Sequence, residues 1–167
     1  MNRILLIGPP GAGKSTIARA LAEDLGLRFI DTDKLIEKQT GKTITDIFVV
    51  DGEPHFREIE LQTLRDVLAL KSAVISLGGG APISQDAQDA IKQSHSHTVF
   101  LDVSLATAAP RVGFNRDRPL LLGNPRAQWQ ALSDSRRPIY EMLADDAIKV
   151  DDMRVDQVVA EIKMRLP

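Results

Sequence analysis

The chain has 167 residues, a formal net charge of −2 and no cysteine. That length predicts a single domain, 1–167, with room for a sizeable core. The missing cysteines exclude a disulfide framework and thiolate metal sites, and the charge balance speaks against a nucleic-acid or membrane partner. There is no basic-then-apolar leader and no apolar run of transmembrane length, so a cytoplasmic protein is expected.

In chain order, residues 3–7, with the apolar run Ile4-Leu5-Leu6-Ile7, read as a first strand. Gly8-Pro9-Pro10-Gly11-Ala12-Gly13-Lys14-Ser15-Thr16 follows and fits the phosphate-loop pattern at each fixed position. A helix is predicted over 15–25, with Ile17, Ala18, Leu21, Ala22 and Leu25 on one face and Gly26 at its end. A short strand over 27–30 leads to Asp31-Thr32-Asp33 and a helix over 33–39, closed by Gly41. Further helices are expected over 44–50 and 54–70, the second with Pro54 in its first turn and Asp51 or Glu53 as cap. A third strand over 73–77 ends in Gly78-Gly79-Gly80. Residues 85–92 read as helix, 98–103 as strand, 147–150 as strand and 155–166 as a closing helix. Residues 111–126 form a polar loop rich in arginine, the expected lid, and a helix is expected to begin at Arg136 and Arg137. Strands separated by helices imply an α/β fold: a five-stranded parallel sheet with helices on both faces.

Ligands of such sheets bind beyond the carboxyl ends of the strands. The loop after the first strand would turn its backbone N–H groups on a triphosphate. Gly11, Ala12, Gly13, Lys14, Ser15 and Thr16 are the expected ATP contacts, with Lys14 on the β- and γ-phosphates and the Ser15 hydroxyl on Mg²⁺. Asp31 and Asp33 point the same way on an extended segment, so one would hold Mg²⁺ through water and the other would take a substrate proton. The alternative is that Thr32 or Asp33 merely caps the next helix. Gly78, Gly79 and Gly80 would form a floor that a ligand approaches closely, or else a plain connector. Arg57 is either a carboxylate clamp or a partner of Glu53 and Glu60 on its own helix, and spacing leaves both open. Arg136 and Arg137 read as a surface pair near Asp134 and Glu141. Trp129 and Phe100 read as packing residues, and His55, His95 and His97 have no ligand spacing.

Taken together, GPPGAGKST, FIDTD at 29–33, DGEPHFREIE at 51–60, SLGGGAP at 76–82, RPLL at 118–121 and SRRPIYEMLADDAIKVD at 135–151 resemble shikimate kinase, a small P-loop kinase family. The resemblance runs from Ile4 to about Asp152. It implies a three-layer α/β/α P-loop kinase fold with a substrate-binding subregion at about 33–61 and a lid at about 111–126. It implies transfer of the ATP γ-phosphate to the 3-hydroxyl of shikimate, with Mg²⁺, by a cytoplasmic monomer. Asp33 would be the base and Asp31 would hold Mg²⁺ through water. Arg57 and Arg136 would clamp the shikimate carboxylate, against the surface reading of Arg136, and Gly79 would lead the floor. Arg118 would reach the phosphates from the lid, Arg111 would pack on adenine, and Arg154 would close its other side. Glu53, Phe48 and Phe56 would shape the pocket. The segment after Asp152 matches poorly. A gluconate-type kinase is the nearest enzymatic alternative, and a catalytically silent nucleotide-binding module the alternative of another class.

Overall fold

The computed structural model describes residues 2–113 and 124–167. Arg116, Arg118 and most of the expected lid therefore lie outside the described residues. Strand β1 (Asn2–Ile7) occupies the centre of a five-stranded sheet of order β2-β3-β1-β4-β5, with β2 Phe29–Asp31, β3 Ser72–Ser76, β4 His97–Asp102 and β5 Asp146–Lys149. All four pairings are parallel. Each expected strand forms, displaced by one or two residues at its ends.

Both faces of the sheet are covered, which is why β1 reads as an unbroken apolar run rather than an alternating one. Ile4 and Leu6 face helices α1 (Lys14–Leu25) and α8 (Val155–Arg165). Leu5 and Ile7 face the opposite layer, built from α4 (Glu53–Leu68), α5 (Gln85–Ser94) and α7 (Pro125–Leu143). A third, smaller core of Ile36, Ile47 and Phe56 lies under α2 (Thr32–Thr40), α3 (Ile44–Asp46) and the start of α4. These layers give the three-layer α/β/α arrangement.

Several local features differ from the sequence expectation. The helix expected over 44–50 is a single α turn, α3, running into a π turn at Ile47–Asp51. Gly52 N donates to Ile47 O at 3.1 Å, closing the wider ring. Neither Asp51 nor Glu53 caps α4. Gly52 stands at its N-cap with no side-chain bond, and Asp51 pairs with Lys42 instead. Pro54 does occupy the first turn. Helix α6 (Leu105–Val112) lies where no element was predicted, and it carries Pro110 inside it. Ser104 caps it, accepting from Thr107 N. Helix α7 begins at Pro125, eleven residues before the expected Arg136, with Asn124 as cap and Pro125 in its first turn. Pro138 lies within it and deprives the Asp134 carbonyl of its usual donor.

The register brings the functional ends of the strands level. Asp31 of β2 pairs with Ser76 of β3, and Ser76 pairs with Leu6 of β1. Gly8 therefore begins its loop beside the last residues of β2 and β3. The chain leaves β1 toward β3 and β2 on one side and toward β4 and β5 on the other, so the crevice opens where the strand order reverses.

Leu5 is fully buried at the sheet centre, whereas Val49 on the π turn is 72% exposed. Leu5→Ala should cost roughly 2–5 kcal/mol in urea unfolding, and Val49→Ala less than about 0.5 kcal/mol. Equal effects would contradict the assignment of the core.

Candidate active site

The phosphate loop closes against two neighbours at once. Gly11 has φ +86°, and a Cβ there would lie 2.9 Å from both the Ala108 and Val112 side chains of α6. Gly13 is the N-cap of α1 and is also left-handed, at φ +86°. Helix α1 thus starts at Lys14 with its first N–H groups directed at the loop cavity. Lys14 is buried and donates through Nζ to Gly8 O at 2.7 Å and Pro9 O at 3.0 Å. Arg111 donates to Gly11 O at 3.1 Å. Trp129, expected only to pack, donates from Nε1 to Pro10 O at 2.9 Å.

Asp31 accepts two different donors. One carboxylate oxygen takes the Lys34 backbone N–H at 3.1 Å, capping α2, and the other takes the Ser15 hydroxyl at 2.5 Å. The Ser76 hydroxyl lies 3.3 Å from that of Ser15. Capping and site roles therefore coexist at Asp31, where the sequence offered Thr32 or Asp33 as the cap. Thr32 instead ties two strand ends together, donating to Ser76 O at 3.3 Å and accepting from Gly78 N at 3.1 Å. Ser15, Asp31 and Ser76 form an all-oxygen donor set with one carboxylate, which suits a Mg²⁺ that keeps several waters. Sequence reading missed Ser76. Its only signal was its place as the last residue before Leu77 and the glycine triplet.

Asp33 follows in the first turn of α2 and packs against the start of the triplet. A Cβ on Gly78 would lie 2.6 Å from Asp33 Oδ1. A Cβ on Gly80 would lie 2.5 Å from Arg57 Nη1, and one on Gly79 would lie 3.4 Å from Arg136 Nη1. The triplet is bare because the site's own side chains cross it.

Arg57 makes the ion pairs on its own helix that its spacing allowed, and it also reaches the glycine floor. It binds Glu60 at 2.7 Å and Glu53 at 3.3 Å, and it sits by Gly80. Its guanidinium also lies 5.3 Å from the Phe56 ring centroid and 5.8 Å from that of Phe48. Burial opposes its charge, but Glu60 and Glu53 outweigh that and hold it above its ordinary pKa. Burial in turn raises the Glu60 carboxyl, with Arg57 opposing the shift.

The adjacent arginines 136 and 137 part company. Arg137 grips Asp102 at the end of β4 through two hydrogen bonds, 3.0 and 2.5 Å, and also reaches Glu141 at 3.3 Å. The hydrogen bond from Asp102 chiefly holds its pKa above the usual arginine value. Arg136 turns to the floor, beside Gly79 and Tyr140. Among the described residues it has no carboxylate within 4.0 Å. Tyr140, fully buried, donates to Gly79 O at 2.6 Å.

These residues line adjoining spaces. A cleft of about 830 Å³ is bordered by Pro10, Asp33, Phe48, Trp129 and Arg136. A second, of about 350 Å³, lies over the phosphate loop and shares Ser15, Asp31 and Asp33 with the first. A third, of about 450 Å³, contains Arg57, Glu60 and Gly80, and shares Arg136 with the first. Asp33 and Arg136 thus stand at the junctions. Arg154 is apart from these linings, paired on the surface with Asp156 at 3.1 Å. His97 pairs with Asp146 at 2.8 Å, at the opposite end of the sheet.

Tyr140 is the only tyrosine, so its ionisation can be followed by phenolate absorbance. Burial pushes its pKa up to about 12, with Arg136 opposing. An acid whose folded pKa is raised stabilises the fold below its ordinary value. Stability should therefore fall as pH rises from about 10 to about 12, by on the order of 2–3 kcal/mol in all. A rapid pH jump on folded protein should show the delayed titration, and protein in urea should titrate near 10. Tyr140→Phe should remove that pH dependence. A native midpoint near 10 would contradict the burial argument.

The shikimate kinase family model matches residues 10–167. The chain is 45% identical over 163 residues to a shikimate kinase of Thermobifida fusca, spanning 98% of this chain and 94% of that one. It is 44% identical to a shikimate kinase of Rhodococcus erythropolis, spanning 98% and 96%. It superposes with a TM-score of 0.93, at 34% identity and 98% and 92% coverage, on the Acinetobacter baumannii shikimate kinase solved in complex with shikimate.

Proposed function

The chain belongs to the shikimate kinase family, and from that premise we propose how its residues divide the work of the reaction. The enzyme transfers the γ-phosphate of ATP to the 3-hydroxyl of shikimate. The hydroxyl oxygen attacks phosphorus, the bond to the bridging oxygen breaks, and ADP leaves. The hydroxyl proton passes to Asp33.

The observation that carries this assignment is the position of Asp33, between the phosphate-loop pocket and the larger cleft. A base must touch both the acceptor hydroxyl and the path of the phosphoryl group. The N–H groups of Gly11 to Thr16 and the Lys14 ammonium hold the phosphates. Arg118 is assigned to the transferring group by the resemblance alone. Arg111, already at Gly11 O, is placed to meet the nucleotide. Arg154 would have to leave Asp156 to reach adenine. The Ser15 hydroxyl and, through water, Asp31 would hold Mg²⁺. When bound, the ion supplies charge neutralisation on the phosphate oxygens.

Two arginines face the acceptor space, but they are not equivalent. Arg57 is already neutralised by Glu60 and Glu53, whereas Arg136 lacks such a partner among the described residues. The substrate carboxylate therefore gains most from Arg136, with Arg57 fixing its orientation. Gly79 and Gly80 keep the floor low enough for both contacts, and Gly78 makes room for Asp33. Among the described residues no helix is long and apolar enough to cross a membrane. We place the activity in the cytoplasm, where ATP is supplied.

Arg136→Ala should cost on the order of 2–5 kcal/mol in shikimate kcat/KM while leaving the ATP KM nearly unchanged. Asp33→Asn should lower kcat by roughly 10²–10⁴ with both KM values close to wild type. Both follow from a coupled assay of ADP release with shikimate, gluconate or no acceptor. Turnover only with gluconate, or only without acceptor, would overturn the assignment. Equal loss of both substrates in Arg136→Ala would make that arginine a support of the fold.

A further inference from the structure

Four consecutive carbonyls of the phosphate loop have donors, and the donors differ in kind. Pro9 O accepts the Ala12 backbone N–H at 3.3 Å across the Pro10–Gly11 turn. Lys14 Nζ takes Gly8 O and also Pro9 O, and Arg111 takes Gly11 O. Both are flexible side chains whose charge a bound phosphate chain would compete for. Pro10 O is taken by the Trp129 indole, which is 2% exposed and anchored on α7. Its N–H has no negative charge to follow and no freedom to turn. It can therefore hold the loop throughout turnover.

What it holds is a peptide plane. The Pro10–Gly11 bond is trans, because the described chain has no cis peptide. In a trans peptide the C=O and the next N–H point in opposite directions. With the carbonyl held on Trp129, the Gly11 N–H is turned away from the indole, and Gly11 lines the pocket over the loop. Pro9 and Pro10 have no N–H of their own. Gly11 is thus the first donor the loop can offer after Gly8.

We propose that Trp129 is a positioning residue for the nucleotide, acting through the orientation of the Pro10–Gly11 peptide. The proposal rests on the reading of this loop as the ATP site. Trp129 is the only tryptophan. Global replacement of tryptophan by benzothienylalanine therefore exchanges one N–H for sulfur with almost no change of shape. Binding of ADP and of shikimate would be measured separately by titration calorimetry, on wild type and on the substituted protein, with Trp129→Phe as a second variant.

The expected result is ADP binding weakened about five- to tenfold, because the released Pro10–Gly11 peptide has to be ordered on binding, with shikimate binding unchanged within about twofold. The melting temperature without ligand should shift by no more than about 3 °C. Unchanged ADP affinity beside a wild type that binds ADP overturns the role of Trp129 alone. Equal weakening of both ligands overturns it too, because the indole would then serve general packing. A wild type that binds shikimate but no ADP overturns the nucleotide-site reading and the proposal with it.

Discussion

The site depends on side chains passing directly over bare backbone at the end of β3. Nothing larger than hydrogen fits at position 78 while Asp33 stays where it is, or at position 80 while Arg57 does. The parallel register then does the rest. Asp31, Ser76 and Leu6 lie level across three strands, so the loop from β1, the acid segment from β2 and the floor from β3 open on the same crevice. A methyl group at position 78 or 80 would displace the Asp33 carboxylate or the Arg57 guanidinium from its place on the floor. The geometry is thus set by exclusion as much as by attraction.

Charge is arranged unevenly over that floor. Glu60 is buried against Arg57, and the carboxyl is raised because burial costs more than the arginine returns. The same pairing keeps Arg57 in one orientation over the packed rings of Phe48 and Phe56. Arg136 instead has a phenol and a backbone turn beside it. One guanidinium is thereby fixed in place and the other kept available, a division that two identical ion pairs would not give. Arg137 shows the contrasting case, in which both guanidinium edges are occupied by Asp102 and Glu141 and its role is to tie α7 to β4.

Much of this was legible from local pattern. The phosphate loop, the order of strands and helices, the D-x-D segment after β2 and the glycine floor after β3 all announce themselves within a few residues. What stayed hidden depends on contacts across the chain. Nothing in the Arg136-Arg137 dipeptide says which member faces the floor; that follows from Asp102, 35 residues earlier, capturing the second. The spacing of Arg57 could not decide its place because pairing with Glu53 and Glu60 is compatible with lying beside Gly80, 23 residues further on. Local pattern assigns no element at α6 and starts α7 eleven residues late; both helices rest on capping from Ser104 and Asn124 and on burial of Ala108, Trp129 and Tyr140. Trp129 looked like packing because an indole's single donor finds its acceptor 119 residues away.

The paired prolines of the loop have a consequence for measurement. Pro9 and Pro10 have no amide hydrogen, so neither contributes to hydrogen–deuterium exchange. Any exchange signal from the turn between Gly8 and α1 comes from Gly11 onward, the stretch that borders the phosphate pocket. The two prolines are silent in exchange, and the amides from Gly11 to Thr16 can be read without interference from them.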